Sequence, residues 1–327
     1  MPRQAPPVAP TAEPAVRRVL TELEPGSPGG APGPGPDGWT GRLRVDESDP
    51  FFYDHPLDHV PGMLLLEGML RTAAHAADRA APVGAPPTDG PYGPRHVAAL
   101  ELRLTRLCRP DPPARVEVAP DPGAGGAARY TVRVVQDGAE VCGGTVLLGG
   151  ARAATAPGPG GGAARVPRPR PGRAADARLV HKWRPEAVLV GPLSRESDGF
   201  RADLLAPRDG HGAGVHPTTL LVECARQFAT MAGHLVAEVP LDWQFLLTTI
   251  TVATPAPTTP APATPAPAPA AERLHLWSRY RATAGRSRAI EVEVRAADRS
   301  AALGTVGFGV TMLPRRSYER LRASGRI

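Results

Sequence analysis

One pattern occurs twice in this chain, and it limits the folds available to it. At a single constant offset His55 falls on His211, Pro61 on Pro217, Leu65 on Leu221 and Glu67 on Glu223. Each half therefore sets a glutamate six residues after a proline and twelve after a histidine. Further along, residues 130–134 (YTVRV) overlay 290–294 (IEVEV), and residues 144–146 overlay 304–306, both GTV. Two long stretches in the same order describe a duplicated domain, not a solenoid, whose repeats are shorter and more numerous. With 327 residues, each half has enough chain for its own core.

The first copy carries the more pointed chemistry. Residues 51–77 read FFYDHPLDHVPGMLLLEGMLRTAAHAA, with His55 and His59 on a loop that feeds a proline, a glycine and an apolar run. Proline suits the first turn of a helix, where its missing N–H would be unpaired anyway. With no breaker before Pro82 and Gly84, the spacing predicts one helix over residues 61–80. Met63, Leu64, Leu65 and Leu66 make it apolar on nearly every side, as in a buried helix. A carboxylate there is costly to desolvate unless it is paired or its pKa is raised. Glu67 therefore needs a reason. Its counterpart Glu223 has polar neighbours, Arg226 and Gln227, on a second expected helix over residues 217–236.

Around the helices, apolar and polar residues alternate. Residues 41–45, 96–107, 115–119, 128–136 and 140–148 read as strands, with Asp137 and Gly138 as a hairpin turn. Residues 188–192, 199–205, 241–252, 274–282, 289–295 and 302–312 supply those of the second half. One buried helix per half followed by antiparallel strands is an α+β plan in which each sheet wraps its helix. Much of the glycine and proline falls outside these segments. Residues 1–38 are expected to be a disordered Pro/Gly tail, 39–150 the first domain and 151–175 a Pro/Gly/Arg linker. The second domain then covers 176–313, with a Pro/Ala/Thr insertion over 253–271, and 314–327 form a basic tail whose sequence from Arg315 allows a helix.

The net charge of +6 rests on arginine, since Lys182 is the only lysine. The basic residues are not gathered on one helix with interleaved aromatics, which argues against nucleic acid as a partner. An acidic carrier protein or a phosphorylated substrate suits the charge. Cys108, Cys142 and Cys224 are odd in number and lack metal-type spacing, so they read as reduced core residues and no metal site is expected. No apolar run approaches membrane-spanning length, and the first residues hold no signal-peptide core. The expected location is the cytoplasm, away from any membrane.

Four strings carry a resemblance: GRLRVDESDPFFYDHPLDHVPGMLLLEG in the first half, and VHKWRPEAVLVGPL, HPTTLLVECARQ and VPLDWQFLL in the second. They closely resemble the A-factor biosynthesis hotdog family, over residues 40–312 apart from the linker and the insertion. The resemblance implies a double hotdog, with two long central helices each wrapped by an antiparallel sheet. The halves would join edge to edge as an internal pseudo-dimer, acting as a monomer or assembling into a higher homo-oligomer. It also implies transfer of a β-ketoacyl group from acyl carrier protein, where phosphopantetheine tethers it, to the hydroxyl of dihydroxyacetone phosphate or a similar small phosphorylated acceptor. That chemistry begins γ-butyrolactone, butenolide or furan signal synthesis and uses no cofactor. Three features depart from the family. The halves stand in swapped order, and the second-half loop has lost the aromatics after its histidine. Where the family's first-half helix reads E-A-x-R-Q, Leu70 takes the arginine position and Arg71 follows it. His55, within FFYDHP, also resembles the β-hydroxyacyl carrier-protein dehydratases, whose catalytic histidine precedes a PG-x-L-x-x-E helix at a spacing two residues longer.

In a transferase, Glu67 or Glu223 acts as general base on the acceptor alcohol. N–H groups at a helix start, such as that of Gly62, stabilise the developing oxyanion. His59 orients the carbonyl or holds the loop. Arg226, three residues after Glu223 on nearly the same helical face, binds phosphate through its planar fork. Arg71 and His211 complete the expected substrate-binding set. In a dehydratase, His55 takes the α-proton and Glu223 of the opposite half protonates the leaving hydroxyl. A thioesterase is a variant of that reading, and a non-catalytic carrier-binding scaffold is the reading from a different class. His75, His216, His234 and the cysteines carry no role in any of these.

Overall fold

The computed structural model describes residues 18–26, 38–80, 96–121, 128–149, 172–208, 211–254, 274–279, 285–296 and 302–323. The apolar run after Pro61 forms helix α1 (Gly62–Arg79), and the run after His216 forms α2 (Pro217–Val236). Pro61 is the N-cap of α1. Pro217 is the first residue of α2, and the His216 N-cap accepts the Thr218 N–H on its Nδ1. Leu64, Leu66, Met69 and Leu70 of α1 are buried, as are Val222, Phe228 and Met231 of α2. Each such side chain contributes about 1.5–3 kcal/mol relative to exposure.

In the first half the strands are β1 (Leu20–Pro25), β2 (Trp39–Leu43), β3 (Val97–Leu104), β4 (Arg115–Pro120), β5 (Ala128–Gln136) and β6 (Ala139–Leu148). In the second they are β7 (Ser194–Arg195), β8 (Phe200–Asp203), β9 (Trp243–Ala253), β10 (Leu274–Ser278), β11 (Ser287–Ala296) and β12 (Ala302–Pro314). All belong to one antiparallel sheet of order β1-β2-β4-β5-β6-β3-β9-β12-β11-β10-β8-β7. Read outward from the β3–β9 junction, both halves lay down their strands in the same connection order. At that junction Leu100 faces Val252 and Leu102 faces Ile250, all four buried. The repeats map accordingly, residues 130–134 and 290–294 onto β5 and β11, and the two GTV runs onto β6 and β12. α1 lies against β2, β4, β5 and β6, α2 against β11 and β12, and the helices touch each other. This is the double hotdog.

Two glycine positions show how local rules set the register. Asp137 and Gly138 adopt φ of 53° and 73°, the paired left-handed conformation that a two-residue hairpin between β5 and β6 needs. Gly144 on β6 faces Leu102 of β3, and a Cβ there would stand 1.9 Å from the Glu101 carbonyl oxygen. Gly144→Ala must push β6 away from β3 beside the junction. Its expected cost is about 1–3 kcal/mol of unfolding free energy, seen as a lowered urea midpoint; an unchanged midpoint would refute this account of the glycine.

Two expectations change. Residues 18–26 are not part of a disordered tail. Leu20 is buried and β1 pairs with β2, because the apolar Val19 and Leu20 supply the cover that the end of the sheet needs. Residues 188–192 form no regular strand; 3₁₀ turns (Ala177–Val180, Pro185–Ala187) precede a single bridge between Val190 and Leu204. The basic tail opens with the helix its sequence allowed, α3 (Arg315–Ala323), lying on β12 and β9. The expected linker and Pro/Ala/Thr insertion fall largely on residues 151–171 and 255–273, outside the described residues, as do residues 1–17 and 27–37 of the tail. No described helix is long and apolar enough to cross a membrane.

Candidate functional site

The two repeated glutamates are both buried, and they are held differently. Glu67 of α1 is 1% exposed. Its Oε1 accepts Arg71 Nε at 2.8 Å, and both its oxygens accept the His216 backbone N–H, at 3.0 and 3.1 Å. Arg71 also donates to the Gly214 carbonyl. The first-half carboxylate is thus spent on the loop that opens α2, bracing one half against the other. Leu70, which stands in the family's arginine position, is fully buried, and Arg71 one residue later makes the ion pair instead.

Glu223 of α2, 2% exposed, sits in a cationic setting. Arg226 reaches it with Nε at 2.7 Å and Nη2 at 2.8 Å, Lys182 with Nζ at 3.1 Å, and Gln227 with Nε2 at 2.9 Å. Gln227 is itself fixed, donating to the Ala187 carbonyl and accepting the Leu189 N–H, each at 2.8 Å. Burial alone would raise the carboxyl's pKa, but Arg226 and then Lys182 overcome it and hold the group well below the usual carboxylate range. Asp54 stands within electrostatic reach of both cations, so Lys182 and Arg226 face two carboxylates and not one.

The second-half segment that carries Lys182 is tied to the histidine loop of the first half. Buried Asp54 accepts the Trp183 N–H at 2.6 Å and the Arg184 N–H at 3.1 Å. Burial works against its ionised form, yet His55, these N–H groups and Lys182 lower its pKa on balance. The His55 ring stacks on Trp183, centroids 5.3 Å apart, with its Nδ1 3.5 Å from Asp54. His181, at φ 54°, occupies the left-handed region, a strain of order 1–3 kcal/mol that tends to mark functional sites. Its Nε2 lies 2.9 Å from His234 Nε2, while His234 Nδ1 lies 2.6 Å from the Val239 carbonyl oxygen. Burial first, then His234, Arg226 and His55, push the His181 pKa down to about 3.

The expected site residues are thereby sorted. Glu223, Arg226, His55 and His211 belong to one neighbourhood. His211 is buried beside Phe51, and burial and then Lys182 lower its pKa while Glu223 and Asp54 oppose. His59 is bonded to Asp58 at 2.9 Å, and its pKa falls through burial and the nearby His55. Asp58 in turn pairs with Arg322 of α3. Glu67 and Arg71 form the separate brace between the halves. Gly62 opens α1, where no side chain caps the helix, and a Cβ on it would meet a Leu104 methyl at 3.3 Å. Reasoning from sequence missed Lys182, Asp54, His181 and His234. The sole lysine of an arginine-rich chain, inside VHKWRPEAVLVGPL, was the available signal for the first. The cysteines are buried free thiols; burial pushes Cys108 up to about 11 and Cys142 up to about 12. Among the described residues no cluster of His, Cys, Asp and Glu could hold a metal ion.

The A-factor biosynthesis hotdog domain matches residues 28–85 and 164–313, more than half of the chain. A 2-oxo-3-(phosphooxy)propyl 3-oxoalkanoate synthase of Streptomyces virginiae is 37% identical over 93 residues, 28% of this chain and 27% of that protein. One from Streptomyces coelicolor is 39% identical over 104 residues, 31% of this chain and 29% of that protein. The matched segments thus span under a third of these relatives. Among solved structures, the dehydratase domain from the CurJ module of curacin polyketide synthase superposes with a TM-score of 0.54 at 12% identity, covering 92% of this chain and 99% of that one. The bifunctional dehydratase-cyclase domain of ambruticin biosynthesis gives 0.51 at 19% identity, covering 93% and 99%. At such identities these two likenesses concern the fold alone.

Proposed function

The chain belongs to the A-factor biosynthesis hotdog family, and from that premise we propose that it is an acyltransferase. It moves a β-ketoacyl group from the phosphopantetheine thiol of an acyl carrier protein to the hydroxyl of dihydroxyacetone phosphate or a similar phosphorylated alcohol. The observation that carries this is the state of Glu223. A dehydratase needs a protonated acid at this place to release water, and a carboxylate clamped by Arg226, Lys182 and Gln227 stays ionised. Lys182 and Arg226 are the cations a phosphate would meet here, Lys182 as a point charge and Arg226 through the N–H groups not donated to Glu223. The name of the two Streptomyces relatives describes an ester of this kind.

In the step itself the acceptor's hydroxyl oxygen attacks the thioester carbonyl carbon, the C–S bond breaks, and the hydroxyl proton ends on the departing sulfur. The carbonyl oxygen, negative in between, suits the start of α1 at Gly62, where the helix dipole is positive. His55 and His59 on the adjoining loop position the thioester, and His211 lies on the phosphate side with Lys182. Incubation with a β-ketoacyl carrier protein and dihydroxyacetone phosphate should give the phosphorylated ester and free carrier thiol by mass spectrometry. An intact thioester, or loss of one water from a β-hydroxyacyl carrier protein, would overturn the assignment in favour of a scaffold or a dehydratase.

A further inference from the structure

We propose that His181 is the base that carries the proton from the acceptor alcohol to the departing thiolate, and that His234 is the positioning residue that keeps its Nδ1 bare. The assignment rests on the transfer reading and deepens it.

The hydrogen bonds allow one arrangement for a neutral pair. A carbonyl oxygen only accepts, so at 2.6 Å from Val239 the His234 Nδ1 must carry the proton. Neutral His234 then has a bare Nε2, which can only accept. The nitrogen facing it at 2.9 Å, Nε2 of His181, must donate. That leaves Nδ1 of His181 without a proton and with its lone pair available. Both rings are held neutral, His234 through burial and His181 through burial and neighbouring positive charge. Phe245 packs against both in T-shaped contacts, with centroids 5.4 and 5.2 Å away.

His181 is also in the right place. It precedes Lys182, whose ammonium meets Glu223, and its ring is close enough to Arg226 and His55 to feel their charge. Its left-handed backbone closes the 3₁₀ turn, with the Lys182 N–H bonded to the Ala177 carbonyl at 2.8 Å. Glu223 is a poor rival for the role, since its oxygens already accept from three side chains. Burial and the nearby Arg226 keep the ring neutral before the acceptor arrives, so its Nδ1 lone pair is present when the step begins. Nδ1 takes the proton as the C–O bond forms and gives it to sulfur as the C–S bond breaks, leaving the ring as it began.

Nitrogen NMR on the ¹⁵N-histidine-labelled full chain tests the relay without substrate. The expected spectrum has Nδ1 of His181 and Nε2 of His234 unprotonated, and the other two ring nitrogens protonated. A protonated Nδ1 on His181 at neutral pH overturns the proposal. In the transfer assay, His181→Asn should lower kcat by about 10²–10⁴-fold with KM for the phosphorylated acceptor little changed. His234→Leu should lower kcat less and release His181 into mixed tautomers, whereas His234→Gln, whose amide can donate to Val239 and accept from His181, should restore much of the loss. Wild-type kcat in His181→Asn overturns the base assignment, as does equal loss in His234→Gln and His234→Leu. If the wild type makes no ester, the transfer reading fails and, with it, the base assignment, while the spectra still decide whether the bare Nδ1 exists.

Discussion

Glu67→Gln is expected to lower the unfolding free energy by about 3–5 kcal/mol, a large part of a domain's stability. The substitution keeps the shape and removes the charge, so the buried Arg71 guanidinium loses its counter-ion. Gln can still accept the His216 N–H through one oxygen, so nearly all the cost belongs to the ion pair. Glu67→Leu combined with Arg71→Leu removes both charges and should recover much of the loss, because apolar replacement of a buried pair is often neutral. It should not recover everything, since the His216 N–H then lacks an acceptor, a deficit of about 1–3 kcal/mol. Urea unfolding of Glu67→Leu, Arg71→Leu and the double variant gives the coupling. If the single changes prove additive, the buried pair on α1 carries no coupling, and this account of Glu67 is wrong.

Glu223→Gln should also cost about 3–5 kcal/mol near neutral pH, because it leaves Lys182 and Arg226 facing each other without an anion between them. Its signature is the pH dependence. The folded carboxyl's pKa lies below its ordinary 4.5, so its stabilising contribution is fully present above that value and is lost as pH falls through the folded value, in strong acid. Wild type and variant should therefore keep a constant gap from neutrality down to mild acid, and converge only in strong acid. Melting curves across that range decide it. A gap that closes above pH 4.5, or never exists, would mean the carboxylate is not held by its two cations.

The helices could be read from the chain because their signals are local. Pro61 and Pro217 open α1 and α2 where the sequence places them, and the apolar runs fix which residues are inside. The hairpin at Asp137 and Gly138 is likewise a matter of two adjacent residues. The duplication even showed which strands correspond. What stayed hidden lies in contacts between distant positions. Glu67 looked like a proton-handling group because its partner N–H belongs to a residue 149 positions away. His234 looked idle because its ring neighbour lies 53 positions upstream, across the fold. Leu20 was lost in a Pro/Gly tail because one short strand gives little periodicity, and its place is set by β2 beside it.

The β3–β9 seam has an evolutionary side. Where two identical chains meet about a two-fold axis, every substitution is made twice, once in each copy of the interface. Covalent fusion releases a chain from that obligation. Here the freedom is visible in a single pair of positions: one glutamate has become a strut on the first helix, while its twin on the second gathers two cations. An ancestor assembled from equal subunits could not have given those two jobs to one residue.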